Sequence, residues 1–260
     1  MTVGVFDSGL GGLSVLKHLK QQLGHESFLY VADSAHAPYG DKTESFIRQR
    51  CEEISGFLIE QGVSAIVVAC NTATAAAVDI IRQKHDVPVV AIEPALKPAS
   101  QITRTGKIGV LATASTLNSQ QYQRLVKNYT SNLDCFEQAA HGLVEQVEAG
   151  LLDDEKTNRL LQQYLQPMLE QGVDSIVLGC THYPFLLSAI KAITGQSVEV
   201  IDTGYAVAEQ LKNVLKQTQR LQTTQTLPEH HFYSSGNTLH AQDMIKKLLD
   251  LNVTVNPLSV

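Results

Sequence analysis

Apolar residues along this chain fall into short runs separated by longer stretches of helical period. Val3–Phe6, Phe28–Ala32 and Ala65–Ala69 are such runs, and each gives way to a polar or glycine-bearing turn. Between them, Leu13 to about Leu23, Glu44–Gln61 and Ala73–Lys84 read as amphipathic helices. Strands alternating with helices predict parallel strands joined by crossover connections. A second stretch begins near Pro94–Pro98 and repeats the scheme through Asp202. A helix over 205–217 follows, then a Thr- and Gln-rich surface connection over Gln217–Glu229. A strand at Phe232–Ser234, a helix at Thr238–Leu249 and a strand at Val253–Val255 are expected to rejoin the first sheet.

The two stretches are copies. Glu60-Gln61-Gly62-Val63-Ser64-Ala65-Ile66-Val67-Val68-Ala69-Cys70 returns 110 residues later as Glu170-Gln171-Gly172-Val173-Asp174-Ser175-Ile176-Val177-Leu178-Gly179-Cys180. Each copy reads as a helix end, a capping glycine, an apolar strand and a cysteine at the strand's end. Val3–Ser8 matches Ile108–Thr113, and Val87–Pro94 matches Val198–Thr203. A single match is explained by the general likeness of α/β strands, but three in the same order point to a duplicated unit. The expected architecture is therefore α/β, with two pseudo-symmetric lobes, each a mostly parallel sheet flanked by helices. One lobe comprises 1–95 plus 206–260 and carries Cys70; the other comprises 96–205 and carries Cys180. The active site is expected in the cleft between them.

Composition narrows the function classes. Of 260 residues, 43% are hydrophobic and 18% charged, the balance of an ordinary globular protein. The net charge of −6 and the lack of a basic stripe exclude a nucleic-acid platform. No apolar run is long enough to span a bilayer. Met1-Thr2 leads directly into a strand without a signal peptide, and four cysteines do not make a disulfide scaffold, so a cytoplasmic protein with free thiols is expected.

In open α/β sheets, ligands bind beyond the carboxyl ends of the strands. Here those ends carry Asp7-Ser8, Asp33, Cys70-Asn71-Thr72, Glu93, Thr113, Cys180-Thr181-His182 and Asp202. Hydroxyls and an amide suit the carboxylate and ammonium of an amino acid. The turn Asp7-Ser8-Gly9-Leu10-Gly11-Gly12 invites a dinucleotide reading, but the third glycine of that fingerprint would fall at Ser14. A tight turn needing small residues and an anion-attracting helix N-terminus both remain open for this segment. Cys51 and Cys135 read as inert apolar positions. Cys70 and Cys180 each precede an expected helix N-terminus, a setting that favours thiolate. Cys180-x-His182 supplies two metal ligands with no second pair to complete a site, so no metal is expected. No lysine stands among the strand ends to carry a Schiff base, so no cofactor is expected either. Two opposed thiols, one as thiolate base and one as thiol acid, can invert a carbon centre unaided. Asp7 and His182, ordinarily a turn cap and a satisfied loop histidine, then stand where they can tune or shuttle protons.

Asp7-Ser8-Gly9-Leu10-Gly11-Gly12, Pro38-Tyr39-Gly40, Ala69-Cys70-Asn71-Thr72 and Gly179-Cys180-Thr181-His182-Tyr183-Pro184 resemble the signatures of the glutamate racemase family, in order and spacing. The resemblance runs from the first residues to about Asp202. It implies cofactor-independent two-base racemisation of glutamate, supplying D-glutamate for peptidoglycan. Cys70 would take the proton of D-glutamate and Cys180 that of L-glutamate, with Asp7 assisting the first thiol and His182 the second. Ser8, Tyr39, Gly40, Asn71, Thr72, Thr113, Thr181 and His182 would line the substrate site beside Asp7. A homodimer is also implied. The chain departs from many relatives ahead of Glu148, where Ala140–Val147 lacks a Cys-Pro segment, so the resemblance assigns Glu148 no role. Two other functions stay open: racemisation or decarboxylation of another small acid (aspartate, hydantoin or malonate type), and non-catalytic binding of an amino acid.

Overall fold

The computed structural model describes residues 1–222 and 227–260. Residues 223–226 of the expected Gln217–Glu229 connection lie outside the described residues. The chain divides into two compact units, 1–92 with 204–260, and 93–203.

Among the described residues the strands are β1 (Thr2–Asp7), β2 (Ser27–Ala32), β3 (Ala65–Val68), β4 (Val89–Ala91), β5 (Lys107–Ala112), β6 (Asp134–Ala139), β7 (Ser175–Gly179), β8 (Glu199–Ile201), β9 (His231–Ser234) and β10 (Val255–Pro257). The first unit holds a parallel sheet in the order β10-β9-β2-β1-β3-β4. The second holds a parallel sheet in the order β6-β5-β7-β8. Within each, the same strand order recurs: β2-β1-β3-β4 in one, β6-β5-β7-β8 in the other. The C-terminal elements add β9 and β10 outside β2, as the sequence predicts. The last strand lies two residues later than expected and ends on Pro257, which a sheet edge tolerates because no ladder donor is lost.

The duplication extends to packing detail. Helices Glu44–Glu60 and Glu155–Glu170 both end in a Schellman motif with a left-handed glycine, Gly62 at φ 73° and Gly172 at φ 79°. Val63 N–H donates to Leu58 C=O, and Val173 N–H to Met168 C=O. Those acceptor residues also press on equivalent strand glycines. A methyl on Gly4 would sit 3.0 Å from Leu58, and one on Gly109 2.8 Å from Met168 Sδ. The glycine in each of these strands therefore lets that helix lie close against the sheet.

The first unit buries Phe6, Ile54, Leu58, Ile66, Val68 and Ile81 around Cys70. The second packs Leu161, Leu165, Ile176 and Leu178 on one face of its sheet and Ile108, Val110, Tyr122 and Val177 on the other. Burial of this kind, at about 25 cal/mol per Å² of apolar surface, holds the strand ends rigid.

Candidate active site

In the first unit, β1 ends at Asp7, which is fully buried. Its Oδ1 accepts the Gly9 N–H at 2.9 Å, folding the turn back on the carboxylate. Ser8 follows and faces the end of β3, where Cys70 Sγ donates to Ser8 Oγ at 3.6 Å. Cys70 is also the N-cap of the helix Asn71–Lys84, its sulfur accepting the Ala73 N–H at 3.4 Å. The thiol thus stands at the positive end of a 14-residue helix, where thiolate is stabilised. Asn71 and Thr72, expected ahead of the helix, are its first two residues. Asn71 is 4% exposed, and neither its Oδ1 nor its Nδ2 has a hydrogen-bond partner. A buried amide left open in this way costs about 1–3 kcal/mol and is a natural contact for a polar ligand.

Tyr39 and Gly40 lie in a short 3₁₀ turn, Tyr39–Asp41. The Tyr39 hydroxyl donates to Asp33 Oδ2 at 2.6 Å. Asp33 is fully buried and receives a two-pronged bond from Arg50, Nε at 3.0 Å and Nη2 at 2.8 Å, with His36 Nδ1 at 3.0 Å. Burial by itself would raise the Asp33 pKa; the bonds from Arg50, Tyr39, His36 and Ser235 outweigh it and hold the group near about 2. Burial and the Asp33 charge push the Tyr39 hydroxyl far above its usual pKa, so it stays protonated. Asp33 therefore anchors the Tyr39 turn.

In the second unit, Thr113 follows β5 and caps the short helix Ala114–Leu117, accepting the Thr116 N–H at 3.2 Å. Cys180 follows β7, with His182 Nδ1 3.7 Å from its sulfur. The other ring nitrogen, Nε2, lies 2.7 Å from Glu148 Oε1. His182 is 2% exposed. Burial would lower its pKa, but hydrogen bonds to Cys180 and Glu148 outweigh burial and lift it well above the usual value. Thr181, between them, is buried.

The two halves thus carry their thiols at equivalent strand ends but surround them with different residues. The position matching Asp7 is Ala112, and the position matching His182 is Thr72. Asp7 and His182 thus each occur in one half alone. Asp33 is legible in the sequence as a strand end, but Arg50 is not legible as its partner, because it sits in a helix beside Arg48 where a cation reads as solvated. The sequence also leaves Glu148 without a role; its position at the end of the helix Leu143–Glu148 brings it to His182. An acid 34 residues before a histidine leaves no spacing signal. Cys51 is fully buried in the core, and burial raises its pKa well above the usual thiol range. Cys135 is half-buried on β6, raised to about 11 by burial. Among the described residues, no cluster of three or more His, Cys, Asp or Glu has metal-binding geometry.

Comparison with known proteins adds the lineage. The family model for Asp/Glu/Hydantoin racemase matches residues 3–211. A glutamate racemase from Pseudomonas aeruginosa is 53% identical over 214 residues, covering 82% of this chain and 81% of the relative. One from Ectopseudomonas mendocina is 48% identical over 248 residues, covering 95% and 94%. The crystal structure of Escherichia coli glutamate racemase in complex with L-glutamate and an activator superposes with a TM-score of 0.89 at 30% identity, covering 100% of this chain and 98% of that one. With a strand-end cysteine in each half and a family match across most of its length, the chain belongs to the Asp/Glu/Hydantoin racemase family.

Proposed function

We infer that this chain interconverts L- and D-glutamate by two-base proton transfer between Cys70 and Cys180. It is an amino-acid racemase, and the D-glutamate it makes supplies peptidoglycan synthesis. The observation that carries the residue assignment is the duplicated strand end, each copy presenting a buried thiol, Cys70 bonded to Ser8 and Cys180 beside His182. One thiolate removes the α-proton while the opposite thiol donates its own proton to the other face of the carbon. The Cα–H bond breaks, a new one forms with inverted configuration, and the thiol and thiolate exchange roles.

In this reading Cys70 acts on D-glutamate with Asp7 assisting, and Cys180 acts on L-glutamate with His182 assisting. The Glu148 carboxylate holds His182 by its far nitrogen and favours imidazolium. Asn71, with both amide atoms open, is available to a substrate carboxylate or ammonium. Ser8, Tyr39, Gly40, Thr72, Thr113, Thr181 and His182 complete the substrate contacts. The Tyr39 hydroxyl already donates to Asp33, so its donor is committed there. Neither metal nor organic cofactor enters these steps. No helix among the described residues is long and apolar enough to cross a membrane. A cytoplasmic homodimer completes the proposal, and sedimentation of the purified protein tests its assembly.

The test of the reaction follows L-glutamate in D₂O with cofactor-free protein, reading optical activity and α-proton exchange together. Loss of optical rotation with deuterium at the α-carbon supports the proposal. Silence with glutamate and both signals with aspartate would move the substrate. Silence with every small amino acid would leave a binding protein.

A further inference from the structure

Tyr30 lies on β2, 1% exposed, with its ring tilted against Phe232 at a centroid distance of 6.3 Å. Its hydroxyl reaches under the neighbouring strand's turn and donates to the Gly9 carbonyl at 2.8 Å. The same glycine's N–H is held by Asp7 Oδ1 at 2.9 Å. Both polar groups of Gly9 are therefore tied down, one by the buried acid and one by the buried phenol. A glycine lacks the side chain that would otherwise restrict its backbone, so these two bonds set the path of the turn. Ser8 lies between Asp7 and the anchored Gly9, and its hydroxyl accepts from the Cys70 thiol.

The other unit has no such clasp at the matching place. Strand register pairs Val5 with Tyr30 and Val110 with Glu137, so Glu137 takes the position of the phenol. There, Thr113 runs into Ala114-Ser115-Thr116 rather than a glycine-rich turn. The clasp, the acid Asp7 and the glycine turn occur together, only on the Cys70 side.

We propose that Tyr30 is a positioning residue for the Cys70 half-reaction, fixing the Asp7-Ser8-Gly9 turn against the thiol through the Gly9 carbonyl. This rests on the reading of Cys70 as one of the two bases. Tyr30→Phe keeps the ring in the core and removes the hydroxyl that anchors Gly9. Freed on its carbonyl side, the turn lets Ser8 drift from the sulfur. Displacements well under 1 Å cost reactions of this type roughly tenfold.

The experiment compares parent and Tyr30→Phe in two assays. Steady-state racemisation is measured in both directions. Site-resolved alkylation of Cys70 and Cys180 by iodoacetamide is followed by peptide mass mapping. The expected result is a kcat lower by about tenfold with KM within about twofold. Cys70 alkylation should change its rate severalfold while Cys180 alkylation keeps the parent's. Because enantiomers are equal in free energy, kcat/KM must fall equally in both directions, so the thiol-resolved assay identifies the affected half. Unchanged Cys70 alkylation would overturn the proposal, as would equal changes at both thiols, which mark a general loosening. Failure of Tyr30→Phe to reach the parent's circular dichroism would also overturn it, by making the hydroxyl a support of the fold rather than of the turn. A parent that neither racemises nor exchanges would sink the catalytic reading instead, while the alkylation contrast still reports on the clasp.

Discussion

Arg50→Met isolates the charge buried beneath the Tyr39 turn. The guanidinium makes two bonds to Asp33, which has no solvent exposure, and further bonds to Glu53 and to the Val260 carbonyl. Methionine fills the space of the stem but leaves the carboxylate uncompensated. Removing one partner of a buried pair costs about 3–5 kcal/mol. For a chain of this size that lowers Tm by about 6–20 °C. An independent estimate comes from titration. An Asp33 pKa near 2, against an unfolded value near 3.9, corresponds to about 2.5 kcal/mol. Because the folded pKa is depressed, this stability is present above the unfolded pKa and is lost as pH falls toward 2. The gap between parent and Arg50→Met should therefore be full at pH 7 and smaller at pH 4. Asp33→Asn combined with Arg50→Met removes both charges and should recover most of the loss. Urea denaturation of all three proteins at the two pH values reads these differences. Equal gaps at pH 7 and pH 4, or a double variant no more stable than Arg50→Met, would refute the buried-charge account.

Cys70→Ser and Cys180→Ser should each abolish racemisation while calorimetry still detects glutamate binding; Cys51→Ser and Cys135→Ser should retain turnover with modest packing loss. Full turnover in Cys180→Ser would end the two-base assignment. A methyl on Gly12 would lie 2.7 Å from Asp7 Cβ and 2.9 Å from Tyr30 Oη, so Gly12→Ala should cost about 1–3 kcal/mol and sharply reduce kcat. Gly56→Ala, in a helix with nothing within 4 Å of the new methyl, should raise stability by about 0.5–1 kcal/mol at unchanged kcat; chemical denaturation and steady-state rates separate the two. Glu148→Gln weakens the charged acceptor that holds the His182 pKa up. A raised histidine pKa stabilises the fold below its unfolded value near 6.5 and ceases to as pH rises through the folded value. The parent's stability advantage over Glu148→Gln should thus be largest below about pH 6 and shrink in alkali, as thermal unfolding across pH will read.

The duplicated strands were legible because their code is local. Gly62 and Gly172 close their helices, apolar β-branched runs follow, and a cysteine marks each strand's end, all within eleven residues. The same locality exposed the Asp7–Gly12 turn and the C-terminal return to the first sheet. What stayed hidden depends on distance in sequence. Arg50 and Asp33 are separated by a loop and half a helix, and a single arginine on an amphipathic helix carries the same signature whether it meets solvent or a buried acid. Glu148 and His182 come from different elements, and the altered stretch before Glu148 offered nothing to connect them. Tyr30 read as one more apolar strand residue, since its hydroxyl acts across the ladder on a neighbouring turn. The shift of the last strand to Val255–Pro257 has a plainer cause: a proline suggests a strand's end, yet an edge position accepts it.

The interrupted path of the first unit bears on how the chain is made. On the ribosome, β2 emerges long before β9, its outer neighbour. Until residues 231–234 appear, the Leu29–Ala32 margin presents unpaired backbone donors and acceptors. At about 5–20 residues per second this interval lasts roughly 10–40 s. The second unit, encoded without interruption from 93 to 203, can close its sheet inside that window. Nascent chains halted between Thr203 and Phe232 should therefore hold one finished sheet and one adhesive edge, and that edge is where premature association between neighbouring translation products would start.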